Sequence, residues 1–171
     1  FPHEQILEVI RLASEAGIPE IYIMDPNFQI RPDFAGKLRD IAFVNHAHTS
    51  IHTELRLEDI DEEIAGLLKE AGIVSVEAGL QSTNSKALEA IHRSYDRKAF
   101  ERGAELLQRQ KIIIKTGLIL GLPYDGYEQI IETHPEYLDL RDFFRGTMVD
   151  RTVNYEYSNR TKMPDAGSDI T

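Results

Sequence analysis

The sequence predicts an α/β fold built on a parallel sheet, and three observations carry that expectation. Short apolar runs rich in strand-forming residues begin near residues 21, 50, 73 and 112. Between them lie segments whose apolar residues recur at helical spacing. Glycine and proline punctuate the joins. Repeated strand–helix–strand chemistry of this kind makes a parallel sheet through crossover connections. A doubly wound sheet and a curved (β/α) barrel both satisfy it.

Taken in order, Pro2 to Ala16 is a helix with Ile6, Leu7, Val9, Ile10 and Ala13 spaced for one face, and Gly17 is its left-handed stop. Ile21-Tyr22-Ile23-Met24 is a strand that Asp25-Pro26-Asn27 breaks, because Pro26 offers no ladder N–H. Asp33 to Phe43 is a helix with Phe34, Leu38 and Ile41 on one face, and Ser50 to Leu55 is a strand. Leu57 to Ala71 reads as one continuous helix. Ile60, Ile64, Leu67, Leu68 and Ala71 line one side, acids crowd its first half where the helix dipole favours them, and Gly72 ends it.

The next strand is Ile73 to Gly79, followed by helical stretches Asn84 to Ile91 and Asp96 to Gln110. Ile112 to Leu120 is a strand terminated by Gly121-Leu122-Pro123. After His134-Pro135 the pattern decays. Thr147 to Tyr157 alternates as one more strand, and Ser158 to Thr171 is a polar tail.

The balance of charge narrows the function. In 171 residues, 19 Lys+Arg stand against 29 Asp+Glu, a net charge of −10. Such a chain lacks the counterion-release term of a general nucleic-acid binder. No apolar run reaches the roughly 18 residues of a membrane span, and no signal peptide opens the chain, so a cytoplasmic location is expected. The sequence has no Cys, which excludes a disulfide, a thiolate nucleophile or a cysteine-held metal within these residues. It enters at Phe1-Pro2-His3 directly on a helical pattern, as a fragment or processed chain would.

Side chains alternate along a strand, so each strand divides into two faces. In Ile73–Gln81, Val74, Val76, Ala78 and Leu80 form an apolar set, opposed by Ile73, Ser75, Glu77, Gly79 and Gln81. In Ser50–Arg56, Ile51, Thr53 and Leu55 oppose His52, Glu54 and Arg56. In the last strand, Ile113, Lys115, Gly117, Ile119 and Gly121 share a face. One side of three strands thus gathers Glu54, Arg56, Glu77, Gln81, Lys115 and glycines. A doubly wound sheet is apolar on both faces. A polar inner face suits a barrel with a ligand at the carboxyl ends of its strands. Glycine at 117 and 121 fits a flat group lying against the backbone, and at 121 it also fits a bend at the strand end.

These residues also resemble a known family. Ile21-Tyr22-Ile23-Met24-Asp25-Pro26-Asn27-Phe28 is similar to the second strand and turn of radical S-adenosylmethionine (radical SAM) enzymes, especially the branch that often carries a cobalamin-binding domain. Val76-Glu77-Ala78-Gly79-Leu80-Gln81-Ser82-Thr83-Asn84 resembles that branch's fourth-strand motif, and Ala87 to Arg93 the helix after it. Gly117-Leu118-Ile119-Leu120-Gly121-Leu122-Pro123 resembles the fifth-strand glycine motif.

The resemblance implies a truncated radical SAM core: a partial (β/α) TIM-like barrel over residues 1–134, with 135–171 as a C-terminal extension. It implies S-adenosylmethionine bound against a [4Fe-4S] cluster, which would cleave it to a 5′-deoxyadenosyl radical. Position by position, Asp25 and Asn27 stand where the family contacts the methionine amino group. Glu54 and Arg56 hold the third-strand ligand positions, and Glu77, Gln81 and Ser82 the ribose and carboxylate region. Gly117, Ile119 and Gly121 form the adenine shelf. The family's three cluster cysteines would lie upstream of Pro2, so the chain alone is expected to be inactive. Cobalamin would sit in a further domain, and the substrate is not specified.

Two other readings stand beside this one. His46-x-His48 with His52 nearby suggests a metal-dependent barrel hydrolase, although both lead residues precede their strand and sit at its amino end. A non-catalytic βα scaffold is the other; its open strand edges would favour self-association. Tyr124, Tyr127, Phe143 and Phe144 read as core or rim packing.

Overall fold

A computed structural model describes residues 2–25, 28–30, 32–46, 49–94, 96–119, 121–126 and 152–154. Helix α1 (His3–Glu15) leads to strand β1 (Glu20–Ile23), α2 (Phe34–Val44) to β2 (Ser50–Glu54), and α3 (Glu62–Glu70) to β3 (Ile73–Gln81). Then come α4 (Ser85–Ala90), α5 (Arg97–Arg109), β4 (Ile113–Ile119) and β5 (Thr152–Asn154). The strands lie in sequence order, β1-β2-β3-β4-β5, and the first four are parallel. The predicted α/β architecture is therefore present. The alternating stretch near the end of the chain does contain a strand, but β5 runs antiparallel to β4, pairing Gly117 with Asn154 and Ile119 with Thr152.

The chain divides into two units, Phe1–Ala78 with Asp96–Ile114, and Gly79–Tyr95 with Lys115–Thr171. In the first, the core is Ile10 from α1, Leu38 and Ile41 from α2, Ile51, Ile73 and Val76 from the strands, and Leu68, Phe100 and Leu107 from α3 and α5, all at most 3% exposed. Asn45 is buried beneath them, its amide donating to the carbonyls of Thr49 and Ala71 and its Oδ1 accepting from the Thr49 N–H. One side chain thereby satisfies three backbone groups at the join of α2, β2 and α3.

Helix ends follow their caps. Asp33, Asp61, Asn84 and Asp96 each accept from a backbone N–H of the first turn. Gly17, at φ +66, closes α1: its N–H bonds to Ser14 and that of Ile18 to Ala13, the paired pattern of a left-handed C-cap. The same pair of bonds ends α4 at His92 and α5 at Lys111, with φ +54 and +59 and no glycine at either place.

The expected continuous helix from Leu57 to Ala71 is two elements. Leu57–Asp59 forms a 3₁₀ turn, Ile60 and Asp61 are extended, and α3 begins only at Glu62. Two causes are visible. Asp61 uses its carboxylate to cap Ile64 N–H at 2.8 Å, which needs a non-helical backbone. The 3₁₀ turn is also pressed against α5, where Gly103 comes so close that a Cβ would overlap the Leu57 carbonyl.

Candidate functional site

Parallel register builds the first unit's polar row. Tyr22 pairs with His52 and His52 with Ser75; further toward the carboxyl ends, Glu54 pairs with Glu77. The expected alternation needs one correction. Ile51 pairs with Ile73, but His52 pairs with Ser75, so β3 carries one extra residue here. Ile73, expected on the polar face, is fully buried, and Val74, expected on the apolar one, is half-buried. An inserted residue shifts the phase of all that follow. Ser75 and Glu77 then fall beside His52 and Glu54.

The contacts along this row are polar. The Tyr22 hydroxyl donates to Glu77 Oε2 at 3.3 Å. Burial pushes the Tyr22 phenol up to about 12, helped by the charge and hydrogen bond of Glu77 and by the charge of Glu54. His52 Nδ1 lies 2.6 Å from the Ser75 hydroxyl, which is 3% exposed. Its Nε2 is buried without a hydrogen-bond partner among the described residues, 3.8 Å from Glu20 Oε2.

Around the row, the predicted positions differ in their surroundings. Asp25 is half-buried just past β1, and its carbonyl accepts from Phe28 N–H at 3.0 Å. Phe28 is 2% exposed and meets the edge of Phe34, anchoring this turn. Asn27 lies outside the described residues. Arg56 is exposed, its Nε 3.7 Å from Asp59. Its backbone is bracketed by Gln29, whose Oε1 accepts from Arg56 N–H at 2.7 Å and whose Nε2 donates to Arg56 O at 3.1 Å. Sequence reading passed over Gln29, and nothing in its neighbours signals that role.

In the second unit, Gln81 ends β3 at φ +68, and Ser82 N–H bonds to Leu80 O at 2.9 Å across it. A three-residue turn with positive φ at its centre is a strained one. The Gln81 Oε1 is buried with no partner among the described residues, while its Nε2 packs where a Cβ on Gly79 would sit. Arg93 donates to the Gly79 carbonyl. Ser82 is 1% exposed, its hydroxyl accepting from Asn84 N–H. Gly117 is buried and Ile119 half-buried on β4. Gly121 has φ +80 and open space where a Cβ would point, so the backbone bend is what requires glycine there. A shallow hollow of about 440 Å³ lies on α4, lined by Thr83, Ser85, Leu88, Glu89, His92 and Arg93.

Among the described residues, no group of three or more His, Asp or Glu could hold a metal ion. His46 is exposed against the Phe43 ring, His52 is engaged with Ser75, and His48 lies outside the described residues. Nor is any described helix long and apolar enough to cross a membrane.

A parallel βα sheet with a carboxylate pair at the carboxyl ends of β2 and β3 has the layout of a barrel enzyme. The family model of the radical SAM superfamily matches residues 1–134, and the chain belongs to that superfamily. No curated protein matches the chain. Solved structures do. The radical S-adenosylmethionine methyltransferase TsrM from Kitasatospora setae, with cobalamin and a [4Fe-4S] cluster bound, matches at 20% identity and a TM-score of 0.67, over 75% of this chain and 27% of that one. The same enzyme with tryptophan and a SAM analogue matches at 19% identity and TM-score 0.68, over 77% and 28%. Coproporphyrinogen III oxidase (HemN) from Escherichia coli, a radical SAM enzyme, matches at 14% and 0.56, over 77% and 33%. These likenesses establish the fold as a partial radical SAM barrel. The chain spans about a third or less of each of those proteins.

Proposed function

We propose that this chain is the part of a radical SAM enzyme that receives S-adenosylmethionine, in the branch associated with cobalamin. The observation that carries the reading is the register pairing of Glu54 with Glu77 at the carboxyl ends of β2 and β3, with the Tyr22 hydroxyl on Glu77. Two neighbouring half-buried carboxylates repel each other, and a cationic ligand relieves that repulsion. Carboxylates also accept from ammonium and ribose hydroxyl groups.

The remaining assignments rest on motif similarity. Asp25 and Asn27 extend the acceptors toward the ligand's amino group, and Arg56 suits its carboxylate. Gln81, with a buried acceptor awaiting a donor, and Ser82 are assigned to the ribose side. Gly117, Ile119 and Gly121 are assigned to the adenine. S-adenosylmethionine itself supplies the sulfonium from which this family draws its radical.

The family's cluster does not fit these residues. Thiolates are its normal ligands, and the 171 residues include no Cys. The chain by itself is therefore expected to bind and orient S-adenosylmethionine without cleaving it. The cobalamin branch is inferred from the Val76–Asn84 motif, and no residue here is assigned to that group.

Calorimetric titration with S-adenosylmethionine tests the reading. Glu54→Gln and Glu77→Gln each weaken binding about tenfold, the worth of one charge-assisted hydrogen bond. Equal affinity of the wild type and both variants overturns it.

A further inference from the structure

Tyr22 and Glu77 belong to strands that are not neighbours in the sheet. β2 lies between β1 and β3, and the register pairs Tyr22 with His52 rather than with either carboxylate. To donate to Glu77 Oε2, the phenol must lie across β2 and reach two positions further toward the carboxyl ends. A ring on an edge strand, 44% exposed, has other rotamers open to it in solvent. The His52 imidazole stacked against it keeps it here. That imidazole comes at a cost, because its Nε2 is buried with no partner among the described residues. An apolar ring of similar shape would avoid the cost. What the imidazole adds is Nδ1, whose bond to the Ser75 hydroxyl fixes the plane of the ring.

Glu77 needs such a hold. It is half-buried beside its register partner Glu54, and two carboxylates so placed drive each other toward rotamers that point apart. The phenol opposes this. Burial pushes Tyr22 up to about 12, so its hydroxyl keeps its proton at neutral pH and remains a donor. We propose that Tyr22 is a positioning residue: it holds Glu77 beside Glu54 before any ligand arrives, so that S-adenosylmethionine meets an acidic pair already formed. The inference rests on the proposed function above, and it gives a role to a residue that the motif similarity leaves without one. Its effect is on affinity, since a carboxylate already held in its bound rotamer loses little further freedom on binding.

The test is a double-mutant cycle. S-adenosylmethionine is titrated calorimetrically into the wild type, Tyr22→Phe, Glu77→Ala and the double variant, and a urea midpoint is recorded for each. Tyr22→Phe keeps the ring and its stack and removes only the hydroxyl. It weakens binding about threefold to tenfold, and the same change made on Glu77→Ala weakens it no further. A merely structural role moves the urea midpoints without that dependence on Glu77. Ser75→Ala leaves both rings in place and weakens binding in the wild type but not in Tyr22→Phe; a loss that persists in Tyr22→Phe overturns the path through the phenol. Where Glu77→Ala weakens binding, wild-type affinity in Tyr22→Phe, or an equal loss with and without Glu77, overturns the positioning role alone. Equal affinity of the wild type and Glu77→Ala, or a wild type that does not bind, overturns both this inference and the function on which it rests.

Discussion

The rings of Tyr22 and His52 stack with centroids 6.0 Å apart at an interplanar angle of 14°. Through this one cross-strand pair, the buried Ser75 hydroxyl at one end is coupled to the Glu77 carboxylate at the other. The phenol reaches toward the carboxyl ends of the strands, and the imidazole back toward Glu20. The Glu77 carboxylate is thus oriented by a run of side chains that reaches back along the sheet.

Tyr22 is accordingly expected to ionise near 12, above the ordinary value of 10.0. Absorbance titration of the wild type against Tyr22→Phe isolates its signal. Glu77→Gln lowers the midpoint, because a charge that opposes the phenolate is gone, but leaves part of the shift, since burial is its largest cause. For stability, the unfolded chain loses this proton first. The contribution is therefore intact below about pH 10 and is lost as pH rises from about 10 to about 12. A Tyr22 midpoint at the ordinary value contradicts the arrangement.

His52→Ala strips one face of Tyr22 and leaves the Ser75 hydroxyl buried without its imidazole partner. The expected cost is about 1–3 kcal/mol, read as a lower urea midpoint. His52→Phe keeps a ring against Tyr22 but no hydrogen bond, so it falls between. An unaltered midpoint in His52→Ala shows that the stack does not stabilise the fold.

The same substitution at two glycines has opposite signs. At Gly103 a Cβ meets the Leu57 backbone, which cannot swing aside, and Gly103→Ala costs about 1–3 kcal/mol or more. At Gly66, inside α3, nothing lies within reach of a Cβ, and Gly66→Ala stabilises by about 0.5–1 kcal/mol through helix propensity. Thermal unfolding of the two variants side by side decides it.

Lys111→Gly is expected to stabilise by about 0.5–1 kcal/mol, although it removes a side chain. Lys111 is exposed and holds φ +59 at the end of α5, where glycine has no steric cost. Denaturant unfolding measures the gain, and a loss of stability contradicts the strain.

These residues also show what a sequence conveys. Strand starts and the stops at Gly17 and Gly72 were legible because each depends on residue types with few alternatives. The ends of α4 and α5 were not, because His92 and Lys111 adopt a left-handed backbone that their chemistry does not announce. The break at Ile60–Asp61 was hidden by apolar spacing that runs through it, and the Asp61 cap and the approach of α5 reveal its causes. In the site, strand alternation was enough to group Glu54 with Glu77. It could not show Tyr22 leaning along the sheet, or Gln29 clasping Arg56 from a distant turn. Those are tertiary choices of rotamer and path.

The extra residue in β3 separates two demands that a regular strand would set against each other. With strict two-residue spacing, seating Ile73 in the apolar interior would aim Glu77 there as well. The one added position ahead of Ser75 lets Ile73 enter the core while Glu77 keeps its place beside Glu54. Where that irregularity falls is as much a determinant of the acidic pair as the identity of either side chain.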